Sequence, residues 1–281
     1  MSATAFQTQY RQEFVKGFEQ RQSLLRDAVT TEAVIKGNTA TFLVVDSGGA
    51  TAVTRGADGL IPGRADNKTQ NSCTLAEWHD KPQLTGFNIF AGQGDQRALL
   101  QQTSMAVINR KIDEEILSAL SGATITTGAA AVASIGMVTK AKATLGKAKV
   151  SSDGQIYAAV SPGFMSYLAQ AKEFANADYV QKKPFEGDDP NFKDLPGFYR
   201  WFNVNWIEIP SLANAGTENC YMFHRSAIGH AINKSGIETY VDYNGEHDFS
   251  YARCTAYMGA KLLQNSGIVK MVHDGSAAYG S

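Results

Sequence analysis

The residues best suited to bind a metal are Cys220, His224 and His230, which lie close together in the sequence. Cys220 and His224 fall on one predicted strand and share a face, while His230 falls on a predicted helix. A structural zinc site needs four ligands, and no second Cys or His pair completes a tetrahedral set. We therefore predict no metal site.

A second group, His247, Asp248 and Ser250, has the residue types of a hydrolase triad. Adjacent residues on a strand point to opposite faces, and a triad is defined by geometry rather than by chain order. The Gly-x-Ser-x-Gly turn that exposes a serine nucleophile is missing from the sequence. We predict no catalytic residues.

A polar cluster surrounds Trp78 and contains Glu77, His79, Asp80 and Lys81. Such groups can act as general acid and base. Inter-subunit ion pairs or plain solvation explain them as well, because they lie at the return of a predicted polar hairpin.

Glycines precede one predicted helix, at Gly92 and Gly94 before Asp95. A helix N-terminus can hold a phosphate. The third glycine of the dinucleotide fingerprint and the phosphate-binding loop motif are both missing, so we expect a capping turn and no cofactor.

The first element that could position these groups is a helix predicted over residues 1–30. The prediction rests on the helical spacing of Phe14, Phe18, Leu25 and Val29. This helix either packs on its own domain or is an arm that docks on a neighbouring subunit.

A β-hairpin is predicted next. Residues 39–45 are β-branched and apolar, which indicates a strand, and Trp78 with residues 84–90 carries the return. The long polar stretch between them, residues 51–83, is either a flexible surface hairpin or a projecting hairpin that lies across a partner subunit.

Two helices follow, over residues 95–120 and 134–149. The first is unusually long, near 37 Å at about 1.5 Å per residue. The second carries Lys140, Lys142, Lys147 and Lys149, which either solubilise an exposed face or meet acidic partners such as nucleic acid.

The C-terminal half mixes strands and helices, which makes the chain α+β rather than a regular βαβ alternation. A helix is predicted to open at Ser161 and Pro162, and a short helix at residues 225–232. Strands are predicted over residues 155–160, 198–209, 220–224, 237–243, 251–263 and 268–273.

Composition narrows the function class. The chain of 281 residues has 26 Lys plus Arg and 27 Asp plus Glu, and this balance argues against a dedicated nucleic-acid binder. Neither a signal peptide nor a membrane span is expected. Three widely spaced cysteines suit a reducing compartment.

The order and spacing of these segments resemble those of tailed-bacteriophage major capsid proteins, which have the Hong Kong 97-type fold. The similar segments are residues 30–45 with the polar stretch to Phe90, the helix over 95–120, residues 155–164, residues 220–228 and residues 237–273. The resemblance covers nearly the whole chain.

This resemblance implies a domain organisation. It comprises an N-terminal arm over residues 1–32, an extended loop with flanking strands over 33–92, a peripheral domain with a spine helix over 93–153, an axial domain over 154–236, and return strands of the peripheral domain over 237–281.

The resemblance also implies a structural function without catalysis. Subunits would form the pentamers and hexamers of an icosahedral shell around double-stranded DNA, which they would contact weakly and non-specifically. A separate scaffolding protein and a portal are expected partners, and a membrane is not. The expected location is the virion, after assembly in the host bacterial cytoplasm.

Three alternatives stay open from the sequence. The first is an encapsulin-like compartment, which would hold protein cargo. The second is a soluble α+β enzyme with a site near His224, His230 and His247. The third is a virion decoration or tail component, which would bind a shell without forming one.

Overall fold

The computed structural model of the protein describes residues 20–65, 67–86, 96–150, 153–172, 198–233 and 235–276. The chain divides into two compact units. The first unit comprises Met1–Ser23, Glu77–Lys111 and Ser235–Ala256. The second comprises Leu24–Ala76, Ile112–Lys234 and Tyr257–Ser281.

A five-stranded sheet forms the body of the second unit. Its strands are β6 (Ile156–Val160), β7 (Phe198–Trp201), β8 (Val204–Glu208), β9 (Thr217–His224) and β13 (Ile268–Asp274). They are ordered β13-β9-β6-β8-β7, and only β6 and β8 pair in parallel. Every residue of β6 is buried, as expected for a central strand.

Two helices share a hydrophobic core with this sheet, α2 (Ile135–Lys147) and α3 (Pro162–Gln170). Ser134 and Ser161 cap their N-termini by accepting hydrogen bonds from the backbone N–H groups of Met137 and Phe164, each the third residue of its helix. The core includes Met137, Leu145, Phe164, Leu168, Trp206 and Met222.

A smaller sheet of the second unit contains β1 (Val34–Lys36), β2 (Thr39–Asp46) and β3 (Asn67–Thr74), in that order. All pairing is antiparallel, and β2 and β3 form a hairpin along their full lengths. Ala40 and Phe42 are buried at its base in a small cluster with Ala231 of β10 (Ile228–Ile232).

Close packing at the hairpin base depends on a glycine. A β-carbon at Gly229 would lie 2.6 Å from Cε1 of Phe42, so no larger residue fits without moving the ring. β10 also pairs with the end of β12 (Phe249–Leu262).

The first unit contains β5 (Gln83–Thr85) and β11 (Glu238–Asn244), which pair with the first part of β12. β4 (Ala76–Asp80) also pairs with β12. The long helix α1 (Gln96–Ser121) and strand β12 each contribute residues to both units.

The prediction of a helix over residues 1–30 is wrong for its described part. Residues 1–19 lie outside the described residues, and from Gln20 to Thr30 the chain has only a 3-10 turn at Arg26–Ala28. The backbone N–H groups of Leu24 and Leu25 donate to the carboxylate of Asp113, each at 3.0 Å. These tertiary bonds take the place of helical ones.

Two other predictions in the second unit need correction. Residues 225–232 form a 3-10 turn followed by strand β10, because pairing with β12 outweighs the local helical pattern. Residues 198–209 form two strands rather than one, since Phe202 and Asn203 adopt φ of +56° and turn the chain.

The return of the hairpin was also misplaced. β3, a polar strand within the predicted loop, pairs with β2. Gln83–Thr85 instead pairs with β12, and residues 87–90 lie outside the described residues. The long helix, the basic helix, the buried strand at 156–160 and the α+β class are confirmed.

Candidate assembly surfaces

The hairpin projects beyond its buried base. Ala40 and Phe42 are buried, but from Leu43 onward no residue of β2 is buried, and Leu43 and Val45 are 64% and 56% exposed. All of β3 from Asn67 to Gln70 is exposed. A two-stranded hairpin with apolar residues in water is marginally stable alone, which suggests that another surface covers it.

The loop at the hairpin tip, residues 47–66, adds further apolar exposure. Leu60 and Ile61 are 73% and 70% exposed, next to Gly59 and Pro62. Sequence reasoning treated this stretch as polar with little apolar content, and it did not identify Leu60 and Ile61 as an exposed apolar pair. An apolar pair between turn residues was the available signal.

One carboxylate organises the start of this loop. Asp46 accepts hydrogen bonds from the Asn67 side chain and, at 2.7 Å, from the backbone N–H of Gly48. The bond from Asn67, followed by that from Gly48, holds the pKa of Asp46 below its ordinary value. Gly48 and Gly49 turn the chain at φ of +58° and +75°.

An open groove of about 550 Å³ lies on the outer face of the β1-β2-β3 sheet. Its lining includes Glu32, Val34, Lys36, Leu43 and Gln70. Because side chains alternate along a strand, this face is opposite the one that carries Ala40 and Phe42. At its base, the small sheet is therefore covered on one face and open on the other.

The three candidate metal ligands do not form a site. Burial raises the pKa of the Cys220 thiol to about 12, and its sulfur contacts Ser161. His224 bonds Asp153 at 3.2 Å and Ser226 at 2.8 Å. His230 is on a strand and is fully buried. Among the described residues, no group of three or more metal-binding side chains exists.

The hydrolase-type residues have structural contacts. The hydroxyl of Tyr243 donates to Asp248 at 2.5 Å, and the ring of His247 stacks on Phe249. Ser250 is buried. The glycines before Asp95 lie outside the described residues.

The cluster around Trp78 is held within the first unit. His79 lies between Glu77 at 2.8 Å and the Thr255 hydroxyl at 2.9 Å. The ammonium of Lys81 is 4.4 Å from the ring centre of Tyr251. These are the contacts of a structural surface.

The four lysines of α2 and of the two residues after it divide into two groups. Lys140 donates to the carbonyl of Thr127 at 2.6 Å, and partial burial followed by the nearby charge of Arg200 lowers the pKa of Lys142. Lys147 and Lys149 are exposed. Lys147 and Lys149 are therefore the two of these lysines whose side chains extend into solvent.

Sequence reasoning missed a buried polar network. The hydroxyl of Ser161 donates to the carboxylate of Glu218, which also accepts the backbone N–H of Asn214 at 2.9 Å. His273 lies opposite Glu218 in the β9–β13 register and accepts the N–H of Ala133 at 3.1 Å. The sequence signal for this network was an acid in β9, Glu218, and a histidine in β13, His273, each near the end of an apolar strand.

Comparison with a family model identifies the protein family to which the chain belongs. Residues 3–274 match the model of a phage capsid protein family. No match exists among proteins of curated function. Within the described residues, no helix is both long and apolar enough to cross a bilayer.

Solved structures share the fold at low sequence identity. A chain of Mycobacterium phage Che8 is 16% identical, with a TM-score of 0.68 over 99% of this chain and 100% of that one. The capsid of Ralstonia phage GP4 gives 13% identity and a TM-score of 0.65 over 100% of both chains. The capsid of cyanophage P-SCSP1u gives 12% identity and a TM-score of 0.66, over 97% of this chain and 94% of that one.

Proposed function

The chain belongs to the phage capsid protein family, and we propose that it is the major capsid protein whose pentamers and hexamers build an icosahedral shell around double-stranded DNA. It is a structural protein of the virion, and we propose that it carries no catalytic site. The observation that supports this most is the projecting hairpin, whose apolar tip has no cover among the described residues.

The predicted partners and domains extend this proposal. A separate scaffolding protein and a portal would direct assembly in the host bacterial cytoplasm. The arm, extended loop, peripheral domain and axial domain keep the boundaries that the resemblance implies. The rival enzyme site gains no support, since His230 is buried and His224 is hydrogen-bonded on both ring nitrogens.

Electron microscopy of the expressed protein, alone and with a candidate scaffolding protein, tests the proposal. We expect closed shells, capsomer rings or polyheads. A uniform population of small particles under both conditions would contradict it. Shells that purify with protein cargo instead of DNA would favour an encapsulin-like compartment.

Contact with DNA would involve Lys147 at the exposed end of α2 and Lys149 just beyond it. Changing Lys147 and Lys149 to Glu should leave shells intact but reduce the packaged DNA, because lost phosphate contacts weaken non-specific binding. Lys261→Glu, a change at another exposed lysine, is the control. Full packaging in the double variant would remove this end of α2 from the DNA-facing surface.

A further inference from the structure

A small cavity of about 250 Å³ lies beside the end of α2 in the second unit. Its volume is below the range of about 300–1,000 Å³ that is usual for sites of drug-sized organic ligands, so it suits a smaller group. The polar residues of its lining are Lys149, His224, Ser226, Gln264 and Ser266. Within the part of the chain that the structure describes, this lining has a lysine and no Asp or Glu, which favours an anion.

Lys149 has a backbone conformation that lysine rarely adopts. Its φ is +59°, in the left-handed region that glycine tolerates best. It lies just beyond α2, where its N–H donates to the carbonyl of Gly146 at 3.0 Å and the N–H of Val150 donates to that of Leu145 at 3.1 Å. Glycine is the usual residue at such a helix end. A lysine costs stability here, and this cost indicates a function for its side chain.

Two packed 3-10 turns, Arg225–Ala227 and Asn265–Gly267, form another wall of the cavity. A β-carbon at Gly267 would lie 2.9 Å from that of Ala227, so the two turns are in close contact. The N–H of Gln264, just before the second turn, donates to the carbonyl of Ala227 at 3.2 Å. These contacts order the wall before a ligand binds, which lowers the entropy cost of binding.

His224 is held by a hydrogen bond at each ring nitrogen. Its Nδ1 lies 2.8 Å from the hydroxyl oxygen of Ser226 and accepts the backbone N–H of the same residue at 3.3 Å. Its Nε2 bonds the carboxylate of Asp153 at 3.2 Å. The ring therefore positions the Ser226 hydroxyl, and the negative charge of Asp153 lies at the other ring nitrogen, outside the cavity lining.

The lining has the kinds of group that bind phosphate. Proteins contact phosphate oxygens mainly with Lys and Arg, with hydroxyl and amide side chains, and with backbone N–H groups. A lysine ammonium acts on a phosphate as a point charge. A hard metal cation would instead prefer carboxylate oxygens, and the described part of the lining has none.

We propose that this cavity binds one phosphate group of the backbone of the packaged DNA. The inference rests on the proposed function, because it requires that the shell contains DNA. Lys149 supplies the charge, while Ser226, Gln264 and Ser266 orient the phosphate oxygens by hydrogen bonds. Binding is independent of base sequence, because the phosphates carry no sequence information.

Two probes test this on the dissociated full-length subunit at low ionic strength. Inorganic phosphate is titrated by calorimetry, and a short fluorescein-labelled DNA duplex is titrated by fluorescence anisotropy. We expect both to bind. Phosphate should weaken duplex binding more than chloride does at equal ionic strength, because phosphate and the duplex use the same cavity.

Lys149→Gly separates binding from stability. It should raise the urea midpoint of unfolding, because glycine tolerates the left-handed backbone, and it should abolish phosphate binding. The logarithm of the duplex affinity falls with the logarithm of the salt concentration, and the loss of one phosphate contact should reduce this slope by about one. Lys149→Arg keeps the charge and should keep binding. Lys261→Ala, at an exposed lysine outside the lining, is the control.

Ser266→Ala keeps every charge and removes one hydroxyl of the cavity. Phosphate binding should weaken about tenfold, because a hydrogen bond to a charged group is lost. Ser166→Ala, at an exposed serine of α3, is the control and should bind phosphate normally. Equal phosphate affinity in Ser266→Ala and the unmodified chain would reduce the site to a surface charge and overturn the cavity assignment.

The remaining outcomes separate this proposal from the proposed function. If Lys149→Gly lowers the urea midpoint and still binds phosphate, Lys149 has a structural role only and the proposal is wrong. Phosphate that binds without displacing the duplex would identify free phosphate as the ligand and overturn the assignment to DNA. Each of these failures leaves the capsid function intact, whereas absence of shells from the unmodified chain would overturn the proposed function itself.

Discussion

Two parts of the second unit use apolar residues in opposite ways. In the five-stranded sheet, Val160, Trp206 and Met222 have no exposed surface. In the hairpin, Leu43, Leu60 and Ile61 are 64%, 73% and 70% exposed. The sheet is covered by helices of the same chain, whereas the hairpin tip has no such cover among the described residues. The first part fixes the stability of the subunit, and the second is available to other copies.

The magnitude of this difference is large enough for assembly. Full burial of a Leu or Ile side chain contributes about 1.5–3 kcal/mol. Several such side chains on one hairpin, in every copy of a shell, favour association strongly. The gain exceeds the translational and rotational entropy that the copies lose on binding. Changes in the two regions should therefore affect different measurements.

The largest expected effect is in the five-stranded sheet. Trp206→Ala should lower the free energy of unfolding by about 3–5 kcal/mol, because it leaves a cavity in a core that cannot collapse fully. Urea denaturation of the dissociated subunit measures this. Leu60→Ala is the control, and an equal loss there would erase the distinction between the two regions.

The second effect concerns the hairpin base. His230 is adjacent to Ala231, on which Phe42 packs, and burial followed by the charge of Arg26 lowers its pKa from 6.5 to about 4. The unfolded chain then binds more protons than the folded one between these values. Stability from this residue is complete above pH 6.5 and falls by roughly 3 kcal/mol as the pH drops to about 4.

Denaturation of the dissociated subunit at pH 7 and pH 4 tests the sign and the size of this effect. His230→Leu should reduce the pH dependence, since an apolar side chain has no proton to bind. His247→Leu, at an exposed histidine, should leave it unchanged. Equal pH dependence in His230→Leu and the unmodified chain would show that His230 is not the group responsible.

A smaller effect is expected at the cap of α3. Ser161→Ala removes the acceptor for the N–H of Phe164 at 3.1 Å and a hydrogen bond to buried Glu218. We expect a loss of about 1–2 kcal/mol. Ser166→Ala, at an exposed serine of the same helix, should change stability by less than about 0.5 kcal/mol. Similar losses in both would mean that the buried network adds nothing.

The sequence predicted those elements whose local pattern agrees with their tertiary setting. α1 and α2 lack internal proline and carry an apolar stripe, and Ser134 and Ser161 are caps of the expected type. The uniformly apolar β6 is a central strand as predicted. For the candidate site, the hairpin and its polar character were predicted, but its apolar tip was not.

The failures share a physical cause, which is competition from distant partners. β3 is polar and has little intrinsic strand preference, yet its pairing with β2 makes it a strand. Residues 228–232 match a helical period, but β12 supplies a ladder of hydrogen bonds. Residues 24 and 25 bond to Asp113, far away in the sequence. Such partners cannot be inferred from a local window.

The smallest effect on subunit stability is expected from a change at the hairpin tip, and the same change should abolish assembly. Leu60→Ser with Ile61→Ser changes two exposed side chains at the hairpin tip, so the free energy of unfolding should shift by less than about 0.5 kcal/mol. Shells should nevertheless fail to form, because the apolar surface offered to another copy is lost. Urea denaturation and electron microscopy of the same preparation measure both quantities.

The matched control for this pair is Thr51→Ser with Thr54→Ser, two exposed polar positions in the same loop. Their change keeps the hydroxyl groups and removes no large apolar side chain, so shells should form as before. If the Leu60 and Ile61 variant also assembles normally, the tip does not contribute to the contacts between copies. Association would then depend on other surfaces, and the exposed groove at the hairpin base would be the first of these to change.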